Sequence, residues 1–143
     1  MVYRMQEGYL TLDDTWHDQS VNVLVPERVA TKGVNLVIAR DRIPLGMSFA
    51  DYLQQQKITF EKELTEYRLT GDSPGNVDQM PAHFLEFSWN NGGKLLQQMM
   101  VIVQDDNRIL SFTGTIPGNG DADARKSLLA AMISFKFGPS KGV

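Results

Sequence analysis

Apolar stretches separated by turn-forming residues predict that this chain contains several β-strands. Seven such stretches are rich in β-branched or aromatic residues and are bounded by Gly, Pro, Asn or Asp. The predicted strands are residues 3–5, 9–12, 20–25, 34–40, 82–89, 94–104 and 109–115. The first two form a hairpin through Gly8, and the last three form an antiparallel meander because short turns join them.

Two helices are predicted between and after these strands. The first begins at Ser48, because Asp51 follows three residues later in a capping-box pattern. Its apolar residues recur at helical spacing and form one stripe, which consists of Phe49, Leu53, Phe60 and Leu64. The second helix begins at Asp121. Residues 67–70 predict a further short strand, and the Gly- and Pro-bearing segment 71–75 predicts a loop.

Some of the predicted strands are apolar on both faces. Side chains alternate along a strand, so a sheet covered by helices on one side should be polar on the other. In residues 34–40 and 94–104, both alternating sets are largely apolar. Two helices can cover about one face of five or six strands. We therefore predict an α+β fold, with a strongly twisted antiparallel sheet and two main helices packed on one face.

The second face then needs a cover of its own. A contiguous apolar surface usually marks an interaction site, so a partner subunit or a ligand is one interpretation. The alternative is that loops and the long N-terminal segment bury this face within one chain. Three amides lie within apolar runs: Asn35, Gln56 and Gln98. Each could bond a loop carbonyl, but together with the adaptable Met99 and Met100 they suit a groove for an apolar helix that carries Ser or Thr.

Composition narrows the class of protein. With 42% hydrophobic and 22% charged residues, the 143-residue chain is predicted to form one domain over residues 1–138, with a flexible tail at 139–143. The net charge is -3 and the Lys and Arg residues form no basic stripe, which disfavours nucleic acid and anionic membranes as partners. The chain lacks cysteine, a signal-peptide pattern and a membrane-spanning apolar run, so we expect a cytoplasmic protein.

Patterns that indicate catalysis or metal binding are absent from the sequence. The two histidines, His17 and His83, are not spaced as metal ligands. The glycines of residues 114–120 lack the Lys and Ser/Thr of a phosphate-binding loop and predict a turn. Acidic pairs at 13–14 and 105–106 fit solvated turns better than a general acid and base. We therefore expect no enzyme, no metal and no cofactor.

Several segments together resemble one known family. They are residues 3–8 (YRMQEG), 16–23 (WHDQSVNV), 37–41 (VIARD), 49–53 (FADYL) with Gln56, 87–89 (FSW) and the strand that contains Gln97 and Gln98. In this order they resemble the DcrB-related superfamily and, more narrowly, its Eag branch, the effector-associated chaperones of type VI secretion. The missing signal peptide and cysteine favour the chaperone branch over the envelope lipoproteins of the superfamily.

The resemblance implies a dimeric chaperone that shields the N-terminal transmembrane helices of effectors carrying PAAR or Rhs domains until they are loaded on the secretion spike. The groove positions of the family carry over to Val21, Val23, Asn35, Val37, Ala39, Gln56, Leu64, Gln98, Met100 and Ile102. Family members often have small hydroxyl residues where this chain has Asn35 and Ala39. A slip of one residue at Gln97 and Gln98 would exchange the faces of that strand. The alternative function is a small-ligand or lipid-binding domain of the same fold.

Overall fold

The structure is a computed structural model that describes residues 1–27, 33–118 and 121–138. Its strands are β1 Val2–Met5, β2 Gly8–Thr11, β3 Asn22–Leu24, β4 Asn35–Arg42, β5 Arg68–Val77, β6 Met80–Asn91, β7 Lys94–Asp105 and β8 Arg108–Pro117. Its helices are α1 Phe49–Glu63 and α2 Ala122–Ile133. The predicted α+β class is confirmed. The division into a domain over residues 1–138 and a tail stays a prediction, and the tail, 139–143, lies outside the described residues.

Six strands form one antiparallel sheet in the order β3-β4-β8-β7-β6-β5. As predicted, β1 and β2 form a hairpin, which is a separate two-stranded sheet. The meander is longer than predicted because β5 joins it. β5 and β6 are connected by Asp78 and Gln79, which both have positive φ (49° and 66°). This is the backbone of the type I′ turn that favours tight hairpins.

The predicted loop at residues 71–75 is wrong, because these residues lie inside β5. β5 is an edge strand, a position that tolerates Pro74. Gly75 lies against the ring of Phe84, where an added Cβ would come within 2.3 Å of a ring carbon. The glycine therefore allows close packing and does not mark a turn.

Both helices begin at the predicted capping residues. The side chain of Ser48 accepts a hydrogen bond from the backbone N–H of Asp51 at 3.1 Å. The Asp121 carboxylate accepts one from the backbone N–H of Asp123 at 2.9 Å. These bonds satisfy backbone donors that have no partner within the helix.

The two helices lie on opposite faces of the sheet, so their predicted placement on one face is wrong. Alternation along β7 shows the arrangement: Met99, Val101 and Val103 pack in the cluster that contains α2. Met100 and Ile102 pack in the cluster that contains α1. Strands that are apolar on both faces are expected when each face has its own helix. We call the two sides the α1 face and the α2 face.

The α2 face is densely packed. Gly114 of β8 lies beneath α2, where an added Cβ would be 3.1 Å from Leu128 Cδ1. Beyond the helix, the ring of Phe135 packs on Phe112 with centroids 5.2 Å apart. The buried residues on this face are Val34, Val77, Ala82, Met99, Val101, Val103, Phe112, Ile116, Ala124, Leu128 and Met132.

Candidate functional site

Helix α1 crosses its face of the sheet diagonally. Near the start of the helix, Tyr52 Oη donates a hydrogen bond to Asp41 Oδ2 of β4 at 2.8 Å. Burial, together with this bond, raises the pKa of Tyr52 above its ordinary value. Near the last turn, the ring of Phe60 packs on Phe87 of β6 with centroids 5.2 Å apart. The helix therefore leads from the end of β4 towards β5 and β6.

A charged group fixes the middle of α1 to the far edge of the sheet. Lys57 Nζ lies 2.9 Å from Asp72 Oδ2 of β5, and the other oxygen of Asp72 bonds His83 Nε2 of β6. The bond from His83 and then the bond from Lys57 hold the pKa of Asp72 below its usual range. These contacts hold α1 over β5 and β6.

The strands on the other side of α1 remain uncovered on this face. Cross-strand pairing places Val23 beside Val37, and Val37 beside Thr113 of β8. Val21 and Val23 are 58% and 62% exposed. We call this surface the open strip; it consists of Val21, Val23, Asn35, Val37, Ala39, Ser111 and Thr113.

The predicted groove residues on the strands all point to the α1 face. Residues paired across strands point to the same side of the sheet. Thr115 pairs with Asn35 on one side and with Gln98 on the other, while Ser111 links Ala39 to Ile102 in the same way. The register therefore places Gln98, Met100 and Ile102 on the same face as Asn35, Val37 and Ala39.

The predicted residues differ in how accessible they are. Asn35, Val37, Ala39 and Gln98 are half-buried, as are Gln56 and Leu64 on and just after α1. Met100 and Ile102 are only 9% and 1% exposed, because they pack in the α1 cluster. Met100 and Ile102 therefore lie beside the strip in the α1 cluster and offer little surface to a partner.

A chain of hydrogen bonds orients the amide of Gln98. Trp89 Nε1 donates to Gln98 Oε1 at 2.7 Å, and Gln98 Nε2 donates to Thr115 Oγ1 at 2.8 Å. The amide is thus bonded to side chains of β6 and β8, whereas the sequence left open a loop carbonyl or a Ser or Thr of a bound helix. Asn35, beside Thr115, extends this polar row to β4.

The hydroxyl residues of β8 on this face were missed by the sequence analysis. Ser111, Thr113 and Thr115 alternate with Phe112 and Gly114, which belong to the α2 face. The period of two in residues 108–117 could have revealed them, because it separates hydroxyl from apolar positions.

The N-terminal part of the chain exposes large apolar side chains. The described residues include fifteen exposed large apolar side chains, and ten of these lie within residues 1–25. Met5 and Leu10 lie on one side of the β1–β2 hairpin. Tyr3 Oη lies 2.7 Å from Ser20 Oγ, which ties the hairpin to the start of β3. The exposed surface is therefore next to the outer edge of the open strip.

A concave surface lies on the α2 face. It is a cleft of about 380 Å³ between α2 and β5–β7, lined in part by Phe84, Leu129 and Ile133. Arg125 and Glu86 form a bidentate ion pair at this cleft, with distances of 2.6 and 2.8 Å. The bond to Arg125 holds the pKa of Glu86 below its usual range.

Within residues 1–27, 33–118 and 121–138, no helix is long and apolar enough to cross a membrane. No group of three or more His, Asp or Glu side chains there is arranged to hold a metal ion.

Comparison with known proteins places these features in a family context. The family model described as DcrB matches residues 7–134. The curated protein Effector EagT6 of Pseudomonas aeruginosa PAO1 is 30% identical over 115 residues, which are 80% of each chain. This relative confirms the resemblance to the Eag branch. None of these descriptions names an enzymatic reaction.

Two solved structures share the fold. The crystal structure of PA94, a Pseudomonas aeruginosa protein of unknown function, matches 98% of both chains with a TM-score of 0.84 and 26% identity. The solution structure of cyanobacterial PsbP from Synechocystis sp. PCC 6803 matches 79% of this chain and 76% of its own, with a TM-score of 0.51 and 10% identity. The second likeness concerns the fold alone.

Proposed function

The chain belongs to the DcrB family, and on this premise we propose that it is a chaperone for a type VI secretion effector. It binds and shields the N-terminal transmembrane helices of a PAAR- or Rhs-type effector until the effector is loaded on the secretion spike. The site is the open strip with Gln56, Leu64 and Gln98 beside it. The observation that carries the proposal is this apolar, uncovered part of an otherwise covered sheet.

The chemistry of the strip suits a membrane helix. Such a helix has about 20 apolar residues and aggregates in water unless its surface is covered. Val21, Val23 and Val37 offer aliphatic surface, while the amides of Asn35 and Gln98 offer hydrogen bonds. Membrane helices pair through apolar packing and interhelical hydrogen bonds, so the strip can replace a neighbouring helix.

The proposed function also implies where the protein acts and that it needs no cofactor. Shielding needs no reaction, nucleotide, metal or other cofactor, because the free energy comes from burying the apolar helix. The chaperone acts in the cytoplasm, where the effector is made, and it forms no stable association with membrane or nucleic acid.

A homodimer is part of the proposal, and the exposed N-terminal residues support it. A specific interface buries about 800 Å² of each partner. The apolar side chains of the hairpin and Trp16 form an exposed set of the kind that a second copy would cover. Met5→Lys with Leu10→Lys should convert the dimer to monomer in sedimentation, whereas Arg4→Gln on the opposite side of the hairpin should not. A dimer that survives the double change would refute this role of the hairpin.

A charge in the strip tests client binding. Val37→Asp should abolish capture of an effector N-terminal fragment, because a carboxylate would be buried against an apolar helix. The control is Ile133→Asp, which places the same charge at a 48% exposed site on the α2 side. Co-expression and pull-down measure binding, and circular dichroism checks folding.

The result distinguishes the open strip from the α2-side cleft as the surface that binds the client. Loss of capture with Val37→Asp alone supports the strip. Capture by folded Val37→Asp protein would contradict the proposal, and loss with Ile133→Asp alone would assign client binding to the cleft.

The α2-side cleft favours a second candidate, binding of a small apolar ligand or lipid. Its volume of about 380 Å³ falls within the range of ligand pockets. Native mass spectrometry of the purified protein should then show a bound lipid that Ile133→Asp removes. A spectrum without bound ligand would reject this second candidate. If the protein still captures the effector fragment, the chaperone function remains as the single candidate.

A further inference from the structure

One side of helix α2 lines the α2-side cleft. Its lining residues are Arg125, Leu129 and Ile133. Because they are four residues apart, they follow one another along the same side of the helix over about 12 Å. The first of them is charged and the other two are apolar, so the helix side of the cleft changes from polar to apolar along its length.

The sheet side of the cleft has the same direction. Glu86 of β6 bonds to Arg125 near the start of α2, and the backbone N–H of Phe137, just after α2, donates to Asp78 Oδ2 between β5 and β6 at 2.9 Å. Helix α2 therefore runs along β6 from Glu86 towards the β5–β6 turn. Phe84 lies between these two points and lines the cleft. The cleft thus has a polar end and an apolar end, as a single-chain amphiphile does.

The apolar part of the cleft has surface that a ligand can cover. Ile133 is 48% exposed and Leu129 is half-buried. Opposite α2, the residues of β5 that face the cleft are Gly71 and Ser73, which pair with Glu86 and Phe84. Their small side chains leave the cleft open towards β5. An alkyl chain in this space would remove apolar surface from water, which favours binding.

The polar end has free hydrogen-bond donors but no net formal charge. Arg125 has five N–H donors, and Glu86 accepts one from Nε and one from Nη2. Within the described residues, the other three donors have no bonded acceptor. A further carboxylate that lines the cleft, Asp72, is bonded to Lys57 and His83 on the α1 side. The charges of Arg125 and Glu86 cancel, so this end suits a hydrogen-bonding group better than an anion.

The ion pair discriminates between headgroups by their charge. A carboxylate on the free N–H groups of Arg125 would be attracted by the guanidinium and repelled by Glu86, which lies within 2.8 Å of the same guanidinium. Such a ligand would lose hydration with little net electrostatic gain. An uncharged group that both donates and accepts hydrogen bonds loses less hydration and can bond to both side chains.

We propose that the α2-side cleft binds a single-chain amphiphile with an uncharged hydrogen-bonding headgroup, such as an alcohol, an amide or a glycerol ester. The headgroup bonds to Arg125 and Glu86, and the alkyl chain lies along Phe84, Leu129 and Ile133. This inference rests on the second candidate function, ligand binding in the cleft, and it is independent of client capture at the open strip.

Octanamide and octanoate test the headgroup, because they have nearly the same shape and differ in charge at neutral pH. In titrations below the concentrations at which they form micelles, wild-type protein should bind octanamide about tenfold more tightly than octanoate. The backbone amide NMR shifts of Leu129 and Ile133 report binding. Glu86→Gln should reverse the preference, because Arg125 then keeps its charge without an opposing carboxylate.

Two further variants complete the experiment. Glu61→Gln removes an exposed carboxylate of α1 and should keep the wild-type preference. Ile133→Asp should abolish binding of both probes while the protein still captures the effector fragment.

The remaining outcomes overturn the inference in different ways. Equal binding of the two probes, or an unchanged preference in Glu86→Gln, would overturn the headgroup assignment and leave ligand binding in the cleft. Binding of neither probe would overturn the inference and the second candidate together, and capture of the effector fragment would still support the chaperone function. Shifts in α2 that depend on protein concentration and not on the probes would assign the cleft to a second copy of the chain.

Discussion

On the α2 face a helix packs tightly against the middle of the sheet, whereas on the α1 face a helix crosses diagonally and leaves one corner open. Met132 of α2 is 0% exposed, and Val23 on the open strip is 62% exposed. The strands themselves also differ between the two sides: Ser111 and Thr113 of β8 lie on the α1 face, whereas Phe112 between them lies on the α2 face. The difference in exposure therefore accompanies both the position of the helices and the polarity of the strands.

This comparison separates two roles for apolar residues in one sheet. Those on the α2 face stabilise the fold, because burial removes them from water in the isolated chain. Those on the open strip gain nothing until a partner covers them. Substitutions on the two faces should therefore affect different measurements.

The largest effect is expected from a cavity on the α2 face. Met132→Ala should lower the free energy of unfolding by about 2–5 kcal/mol, since neighbours close such a cavity only in part. Val23→Ala, the control on the open strip, should change it by no more than about 0.5 kcal/mol. Urea unfolding at one fixed protein concentration measures both. Similar losses for the two variants would show that the strip is buried in solution.

A smaller loss is expected where α2 contacts the sheet. Gly114→Ala puts a methyl group 3.1 Å from Leu128 Cδ1, which should cost about 1–3 kcal/mol by overpacking. Gly8→Ala is the control, because no atom lies within 4 Å of a Cβ there. Unfolding in urea again gives the numbers. If Gly114→Ala leaves the free energy of unfolding unchanged, α2 can move away from the sheet without destabilising the fold. The two faces would then differ less in packing than the structure indicates.

Local patterns predicted most of the elements, because they depend on nearby residues. Ser48 and Asp121 cap the helices as expected, and the turns of the meander contain the expected residues. The edge strand β5 was predicted only in part, as residues 67–70, since the packing of Phe84 over Gly75 depends on a strand that follows later in the chain. The face chosen by each helix also depends on tertiary contacts, such as the bond from Tyr52 to Asp41.

The candidate site was predictable to a similar extent. The family resemblance assigned Val37 and Gln98 to one groove but left open which face of the Gln98 strand lines it, and the register of the sheet places both residues on the α1 face. Burial could not be predicted, because the cover over Met100 and Ile102 comes from α1. The partner of the Gln98 amide also required three strands to be aligned in space.

A moderate effect is expected at Gln98. Gln98→Leu leaves the N–H of the half-buried Trp89 and the hydroxyl of the buried Thr115 without their partner, which should cost about 1–2 kcal/mol. Gln97→Leu is the control, since Gln97 lies on the α2 face of the same strand and is equally half-buried. Equal urea midpoints for the two variants would indicate that water replaces the amide.

The smallest expected effect is the pH dependence of stability, which involves one ion pair on each face of the sheet. Asp72 holds α1 through Lys57, and Glu86 holds α2 through Arg125. The folded protein lowers the pKa of both carboxyls, so the native state favours their ionised forms. Their contribution is therefore complete above the unfolded pKa of about 4 and is lost as the pH falls through the lower folded values.

The contribution of each pair should be below about 1 kcal/mol, because the partners are partly exposed and solvent screens them. Urea midpoints measured from pH 7 to pH 3 should fall for wild type, and less steeply for Asp72→Asn and for Glu86→Gln. Only Asp72→Asn should also increase hydrogen exchange in α1, the helix that borders the open strip. Equal exchange of α1 in the two variants would show that Asp72 does not hold that helix in place, and the diagonal position of α1 would then depend on Tyr52 and Phe60 alone.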